Sequence, residues 1–343
     1  MIENLAQALL TIKGQDMTKA INPRLISLNL SEKRDGEADQ LDIVIHDHDG
    51  LLAIPSEGDL VTLAIGWKSG ALVKSGWVDK GKFKIDDVEW AGPPDTLTIR
   101  ARSADFTDAF RVRSEKKRKD TTVGAIIADI ASANGLKSHV AAELASIAVP
   151  VADQDQRSDM ALMRRLGRRH DAVATVKNGT LLFMPIGKGL SAAGRPLPPF
   201  ALVRPEIARY RWARPAREEY GGVEARWHDK SSAKRKTVTH GGDSTDDGAG
   251  KKKRKPKRLH RTYHTEADAK HAAEAEHKRI SRAAATLEVD LALGRADLYP
   301  ERRGRIIGFK PEIDDATWLI AESTHTLDGS GGFQTKLKCE LAI

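Results

Sequence analysis

"PSEGDLVTLAIG", Pro55 to Gly66, sets a Pro-to-Gly turn ahead of an alternating apolar run, and "PERRGRIIG", Pro300 to Gly308, does the same near the other end of the chain. Each leads to a strand carrying a tryptophan, Trp77 in the first case and Trp318 in the second, and each is followed by a later strand, "DTLTIRA" from Asp95 and "FQTKLKCELA" from Phe333. All six Trp, at 67, 77, 90, 212, 227 and 318, lie in these flanks and none in between. The pattern reads as a degenerate internal duplication. It predicts an α+β, mainly β fold in which two related antiparallel β-barrels, at residues 1–105 and 206–343, flank a small α/β domain at 106–205.

Outward from these stretches, "RLISLNL", "QLDIVI", "DLVTLAIGW", "LVKSGWV" and "FKIDDVEW" show the period-two alternation of half-buried strands. "HDHDG", "KSG" and "AGPPD" supply the turns between them. After Asp105 the period changes. "DTTVGAIIADIASANGL" has a helix start at its Thr and Asp residues, apolar Val123, Ile126, Ile127 and Ile130, and Gly135 as a stop signal. A second amphipathic helix follows Ser158, with Met160, Leu162, Met163 and Leu166 on one side and Arg164, Arg165, Arg168 and Arg169 on the other. "AVATVKNGTLLFMP" signals a hairpin at Asn178 and Gly179. Gly and Pro from Gly187 to Phe200 mark a linker. In the second flank, strands resume around a basic loop at 241–258 and an inserted helix at 265–285, which opens with a capping pattern at Thr265 and Asp268.

Composition bounds the function classes. The 343 residues are enough for two or three packed units. Formal charge is +8, but seven of the 56 Lys and Arg fall between Lys251 and Arg258, and the remainder stands at 49 against 48 acids. The basic character is local, unlike the broad cationic face of a duplex-binding domain. The single cysteine, Cys339, excludes an intramolecular disulfide and a thiolate zinc site, and fits a reducing compartment. Glu3 and the short apolar stretch of the N-terminus do not read as a signal peptide, and no run approaches the length of a membrane span. No membrane anchor is expected.

Candidate chemistry is sparse. His46 and His48 alternate as a metal pair could, but Gly50 follows directly and the composition is that of a turn. His271 and His277 lie six apart, on different faces of a helix, and His260 and His264 precede its cap. "PIGKGLSAAG" lacks the glycine spacing and the following helix of a dinucleotide site, and no nucleophile elbow, zinc helix or Walker lysine is present. No catalytic, cofactor or metal residue is named, and no cofactor is expected. The remaining candidate is the run Lys251, Lys252, Lys253, Arg254, Lys255, Lys257 and Arg258, as a solvated loop or as a contact for nucleic acid or a channel lumen. With no apolar residue beyond Ala249 to anchor it, the segment from Gly241 to Lys257 is expected to be mobile and replaceable.

"EADQLDIVIHDHDG", "DMALMRRLGRRHDAVATVKNGTLLFMP", "YRWARPAREEYGGVEARWHD", "LALGRADLYPERRGRIIGFKPEID" and "TWLIAESTHTLDGSGGFQTKLKCEL" resemble the phage late control D family over nearly the whole chain, most strongly after Leu291. These are baseplate hub proteins of contractile-tailed phages, similar to the Mu-like hub and to the N-terminal part of the type VI secretion spike protein. The resemblance implies a non-enzymatic homotrimer whose two barrels per chain make a ring of six, joining a sixfold tail tube to a threefold spike. It also implies tape measure and other baseplate proteins as partners, DNA passage through the channel, and a place in the virion tail baseplate after assembly in the host bacterial cytoplasm. Two other classes stand beside it: a nucleic-acid-binding regulator using the basic loop, and a tail-associated cell-wall hydrolase. The hydrolase would need a spare domain that the chain does not offer.

Overall fold

The computed structural model describes residues 3–34, 38–103, 110, 112–177, 179–191, 194–215, 220–229, 231–242, 255–330 and 332–343, without the side chains of 114–117 and 151–157. The first flank contains β1 (Leu5–Ile12), β2 (Gln15–Asp16), α1 (Thr18–Ile21), β3 (Leu25–Lys33), β4 (Gln40–His46), β5 (Leu60–Ser69), β6 (Gly76–Ala91) and β7 (Thr96–Ser103). The middle contains β8 (Arg113–Thr122), α2 (Val123–Ala133), β9 (Lys137–Val140), α3 (Ala142–Ala145), β10 (Ala148–Ser158), α4 (Asp159–His170), β11 (Ala172–Lys177) and β12 (Thr180–Pro185). The last part contains β13 (Phe200–Val203), β14 (Ile207–Ala213), β15 (Val223–Asp229), β16 (Lys234–His240), β17 (Lys257–Tyr263), α5 (Glu266–Ala283), β18 (Thr286–Leu291), β19 (Arg303–Ile307), α6 (Pro311–Asp314), β20 (Trp318–Asp328) and β21 (Phe333–Leu341). The fold is α+β and mainly β, built chiefly from antiparallel pairs.

Strands of both flanks hydrogen-bond into one 13-stranded sheet, in the order β14-β18-β21-β20-β3-β4-β7-β6-β5-β1-β2, with β19 on β20 and β13 on β19. Among the described residues no pairing closes either flank on itself. The edge of β3 that a separate barrel would seal against its own strands is sealed instead by β20, from Lys33 opposite Glu322 to Ser27 opposite Asp328. An edge so covered has no free backbone donors or acceptors to satisfy elsewhere, so the two flanks merge where two independent barrels were expected.

Within that sheet the flanks repeat one plan. The order β1-β5-β6-β7-β4-β3 corresponds to β13-β19-β20-β21-β18-β14. The irregularities correspond as well: the β3–β4 ladder slips between Leu25 and Ser27 and the β14–β18 ladder between Ile207 and Arg209. Likewise, β6–β7 slips between Ile85 and Asp87 and β20–β21 between Ile320 and Glu322. A bulge inserts one extra residue and bends the strand, so matched bulges give the two halves the same local curvature. They differ at one border, where β1 runs antiparallel to β5 but β13 runs parallel to β19. Gly304 makes the parallel approach feasible, since a Cβ there would sit 2.2 Å from the Phe200 carbonyl oxygen.

Period-two burial places Leu28, Leu30, Leu41, Ile43, Val61, Leu63, Phe83 and Ile99 in one core, and Leu287, Val289, Ile306, Trp318, Ile320 and Leu337 in its counterpart. Each such side chain contributes about 1.5–3 kcal/mol when fully buried. The middle unit has its own core. Thr122 caps α2 by accepting from Ala125 N at 3.2 Å, Ser158 caps α4 through Ala161 N at 3.2 Å, and the two helices pack Val123, Ile126, Ile127, Leu162, Met163 and Leu166 over β11 and β12. A fourth core holds α5 against the small sheet β16-β15-β17 through Val223, Ala225, Ala269, Ala273 and Ile280. The stretch read as a linker is tied down, with Gly187 N donating to Glu301 Oε2 at 2.7 Å and Leu197 N to the Gly189 carbonyl at 2.6 Å.

Candidate functional site

The ladder between the two halves carries a buried polar cluster. Alternation along β3 puts Glu32 on the same inward face as Leu28 and Leu30, where His325 of the adjoining β20 and Lys80 of β6 meet it. Lys80 Nζ lies 2.7 Å and His325 Nε2 3.2 Å from Glu32 Oε2, and Ser323 donates to the same oxygen at 3.2 Å. His325 Nδ1 lies 2.9 Å from Thr335 Oγ1. Burial by itself would raise the Glu32 carboxyl, but the Lys80 charge and the hydrogen bonds from His325 and Lys80 outweigh it and hold the group well below the usual carboxylate range. Burial, with the Lys80 charge added, pushes His325 down. The cluster is therefore an ionised Glu–Lys pair flanked by a neutral imidazole, arranged to hold strands together.

A second network ties all three parts. Arg282 of α5 grips Asp171, with Nη1 donating to Oδ2 at 2.6 Å, and its Nε lies 2.9 Å from Glu340 of β21. Glu340 also meets Arg34, at 2.6 Å, and Arg34 reaches Glu301 at 3.5 Å. Desolvation raises the Glu301 carboxyl despite Arg34 beside it. Next to this network a cavity of about 470 Å³ is bordered by His170, His271, Lys278, Arg282 and Arg303. Burial, then Arg169 and His271, push His170 down to about 4. Among the described residues neither ring nitrogen of His170 has a hydrogen-bond partner.

Of the basic run, Lys251, Lys252, Lys253 and Arg254 lie outside the described residues, as does most of the segment expected to be mobile. Lys257 and Arg258 begin β17. Lys257 Nζ lies 2.7 Å from Glu276 and 5.5 Å from the Tyr220 ring centre, while Arg258 Nε donates to Glu224 Oε1 at 2.9 Å. The fold thus commits these two cations to its own acids; among the described members Lys255 and Arg258 are exposed and Lys257 is half-buried. The histidines are dispersed. His46 and His48 are exposed around a turn in which Gly50 N donates to the Asp47 carbonyl at 2.9 Å. His260 and His264 are exposed, His271 faces His170 across 6.0 Å, and His277 faces His240 across 5.3 Å. Among the described residues no group of three or more His, Cys, Asp or Glu could hold a metal ion, and no helix is long and apolar enough to cross a membrane. Cys339 is buried, and burial pushes its thiol up.

None of the residues in the two buried networks is marked in the sequence by spacing. Their one visible sign is charge inside a strand pattern: Glu32 and Lys33 close the run "LISLNLSEK", and His325 interrupts the alternation of "ESTHTL".

What the geometry offers is a scaffold: a repeated sheet, ionic clasps between its parts, and sheet edges that end in charged and aromatic side chains. Among the proteins that this chain resembles are phage tail components. The chain is 38% identical over 366 residues to the probable baseplate hub protein of Escherichia phage 186, covering 98% of this chain and 92% of the relative. It is 37% identical over 366 residues to the probable baseplate hub protein of Escherichia phage P2, covering 98% and 93%. The 43 kDa tail protein of prophage MuSo2 from Shewanella oneidensis superposes with a TM-score of 0.68 over 97% of this chain and 98% of that one, at 14% identity. The family model for the phage tail baseplate hub (GPD) matches residues 40–331, from β4 through β20 and including the unit between the flanks, and the chain belongs to that family.

Proposed function

We propose that this baseplate hub works as a closed homotrimer in which two barrel-like units per chain, at residues 1–105 and 206–343, form a ring of six around a channel, with the α/β domain at 106–205 beside them. One face of the ring meets the sixfold tail tube and the other the threefold spike. The observation that carries this reading is the repeated strand order with matched bulges in both flanks. Two equivalent units per chain turn threefold symmetry into quasi-sixfold symmetry, and cyclic closure keeps a head-to-tail contact from propagating into filaments. The action is mechanical: the hub clasps tube to spike until contraction, and the channel opens to DNA when the spike leaves. No catalytic step is required of the chain, which is assembled in the host cytoplasm with its tail partners.

Native mass spectrometry of the hub copurified with its spike tests this. Three hub chains to three spike chains are expected; a stable 1:1 heterodimer at micromolar concentration would overturn the reading.

A further inference from the structure

We propose that the outer edge of β14 in one chain pairs antiparallel with the second half of β6 in a second copy, with Glu89 opposite Ala213, Trp90 opposite Trp212 and Ala91 opposite Arg211. The proposal rests on the trimeric reading above and adds to it which edges meet and in what register.

The template is the junction inside the chain. β21 covers one edge of β20 along its length; on the other edge β19 covers Trp318 and Leu319, and β3 takes over from Glu322. β6 is laid out in the same way as far as it is covered. β7 pairs with it from Phe83 to Ala91, while on the opposite edge β5 reaches only Lys84 and Asp59 accepts from Ile85 N at 3.0 Å. From Asp87 to Ala91 that edge has no strand on it among the described residues. β14 is the equivalent of β3 and has β18 on one edge and, among the described residues, nothing on the other.

The bulges fix the register. The slips at Ile85/Asp87 and Ile320/Glu322 align Trp90 with His325, and the slips at Ile207/Arg209 and Leu25/Ser27 align Trp212 with Leu30. Within the chain His325 stands opposite Leu30. Transferred to the open edges, Trp90 stands opposite Trp212.

Burial and charge agree with this. Leu28, Leu30, Ser323 and His325 are 0% exposed at the internal junction, whereas Tyr210, in the place of Leu28, is 49% exposed and Trp90, in the place of His325, is 52% exposed. Large aromatic side chains left half in water at positions the other half-sheet buries are the expected face of a subunit contact. The open stretch of β6 carries Asp87 and Glu89, with Asp86 just before it; β14 carries Arg209 and Arg211, and Arg214 follows. Arg100 already touches Asp87 and Glu89, but these carboxylates remain 54% and 55% exposed. No ion pair to Arg209 or Arg211 forms among the described residues. In the proposed register Glu89 and Arg211 are diagonal neighbours, within reach of each other across the ladder. A head-to-tail contact of this kind, alternating with the internal junction, closes with three chains and leaves no open edge at either strand.

Residues 89 and 213 changed to cysteine in the full-length hub, copurified with its spike and treated with a short bismaleimide, provide the test. Cys339 is buried and stays silent. The Glu89→Cys, Ala213→Cys double variant should give covalent dimers and trimers on a denaturing gel, and a mixture of the two single variants should give dimers only. Arg211→Glu should lower the trimer fraction about tenfold by setting like charges side by side, and adding Glu89→Arg should restore it. Trimers by native mass spectrometry without the 89–213 cross-link would overturn the seam while leaving the hub trimer standing; no trimer with the spike present would overturn both.

Discussion

Lys80 Nζ lies 2.7 Å from Glu32 Oε2 in a site where 2% of the lysine side chain reaches solvent, so β6 and β3 are joined by an ion pair from which most water is excluded. Removing one partner of such a pair strands the other charge. Lys80→Met is expected to destabilise the protein by about 3–5 kcal/mol, measured by denaturant unfolding at pH 7. The pH profile adds a control. With its carboxyl depressed, Glu32 contributes stability that is full above its unfolded value of 4.5 and is lost as pH falls toward the folded value. The variant should show a shallower loss in that acid range.

His170 gives a window at higher pH. Its imidazole titrates near 6.5 when unfolded and is pushed down to about 4 when folded. The unfolded chain therefore binds the proton first, and stability present above about pH 6.5 declines as pH falls toward 4, by about 3 kcal/mol. His325 is pushed in the same direction, so the difference between wild type and His170→Phe isolates the one group. Melting temperatures at pH 7.5 and pH 5 should converge in the variant.

Arg282→Ala leaves Asp171 and Glu340 without the guanidinium between them. The expected loss is about 3–5 kcal/mol. Because these acids belong to different parts of the chain, limited proteolysis should cut first between the middle unit and the last flank.

The basic run is expected to be dispensable for folding. Changing Lys251, Lys252, Lys253 and Arg254 to Ser should leave the melting temperature within the about 0.5 kcal/mol equivalent of a surface change, since the strand that follows is held by Lys257 on Glu276 and Arg258 on Glu224. The same change should weaken binding to single-stranded DNA by about tenfold at 50 mM salt and hardly at all at 200 mM, read by fluorescence anisotropy. A fall in trimer content would contradict the assignment.

Strands that alternate strictly were legible from sequence: "QLDIVI", "DLVTLAIGW" and "DTLTIRA" are β4, β5 and β7, because one buried face imposes period two. The helices were legible from their caps, Thr122, Ser158 and Thr265, each of which accepts from a backbone N–H three residues on. Pairing across the chain was not. Lys33 meets Glu322 and Phe200 meets Gly304, and a contact across a hundred residues or more leaves no spacing to read. The buried clasps were hidden for the related reason that Glu32, Lys80 and His325 come from three distant strands. The basic run was conspicuous because its charges are adjacent in sequence, which is no measure of what they touch.

The β3–β20 ladder also bears on how the particle is put together. A ring of six equal joints assembled from single half-sheets would need six encounters, each surrendering translational and rotational freedom. In the proposed ring every second joint is made while the chain folds, at the high effective concentration that a tether provides. Three encounters then complete the circle, and a chain that has folded correctly has by that fact rehearsed the geometry of the joints it has still to make. The proposed ring would also be unequal under load: three joints could not come apart without unfolding a chain, and the other three could, so a pulling spike should open it at alternate positions.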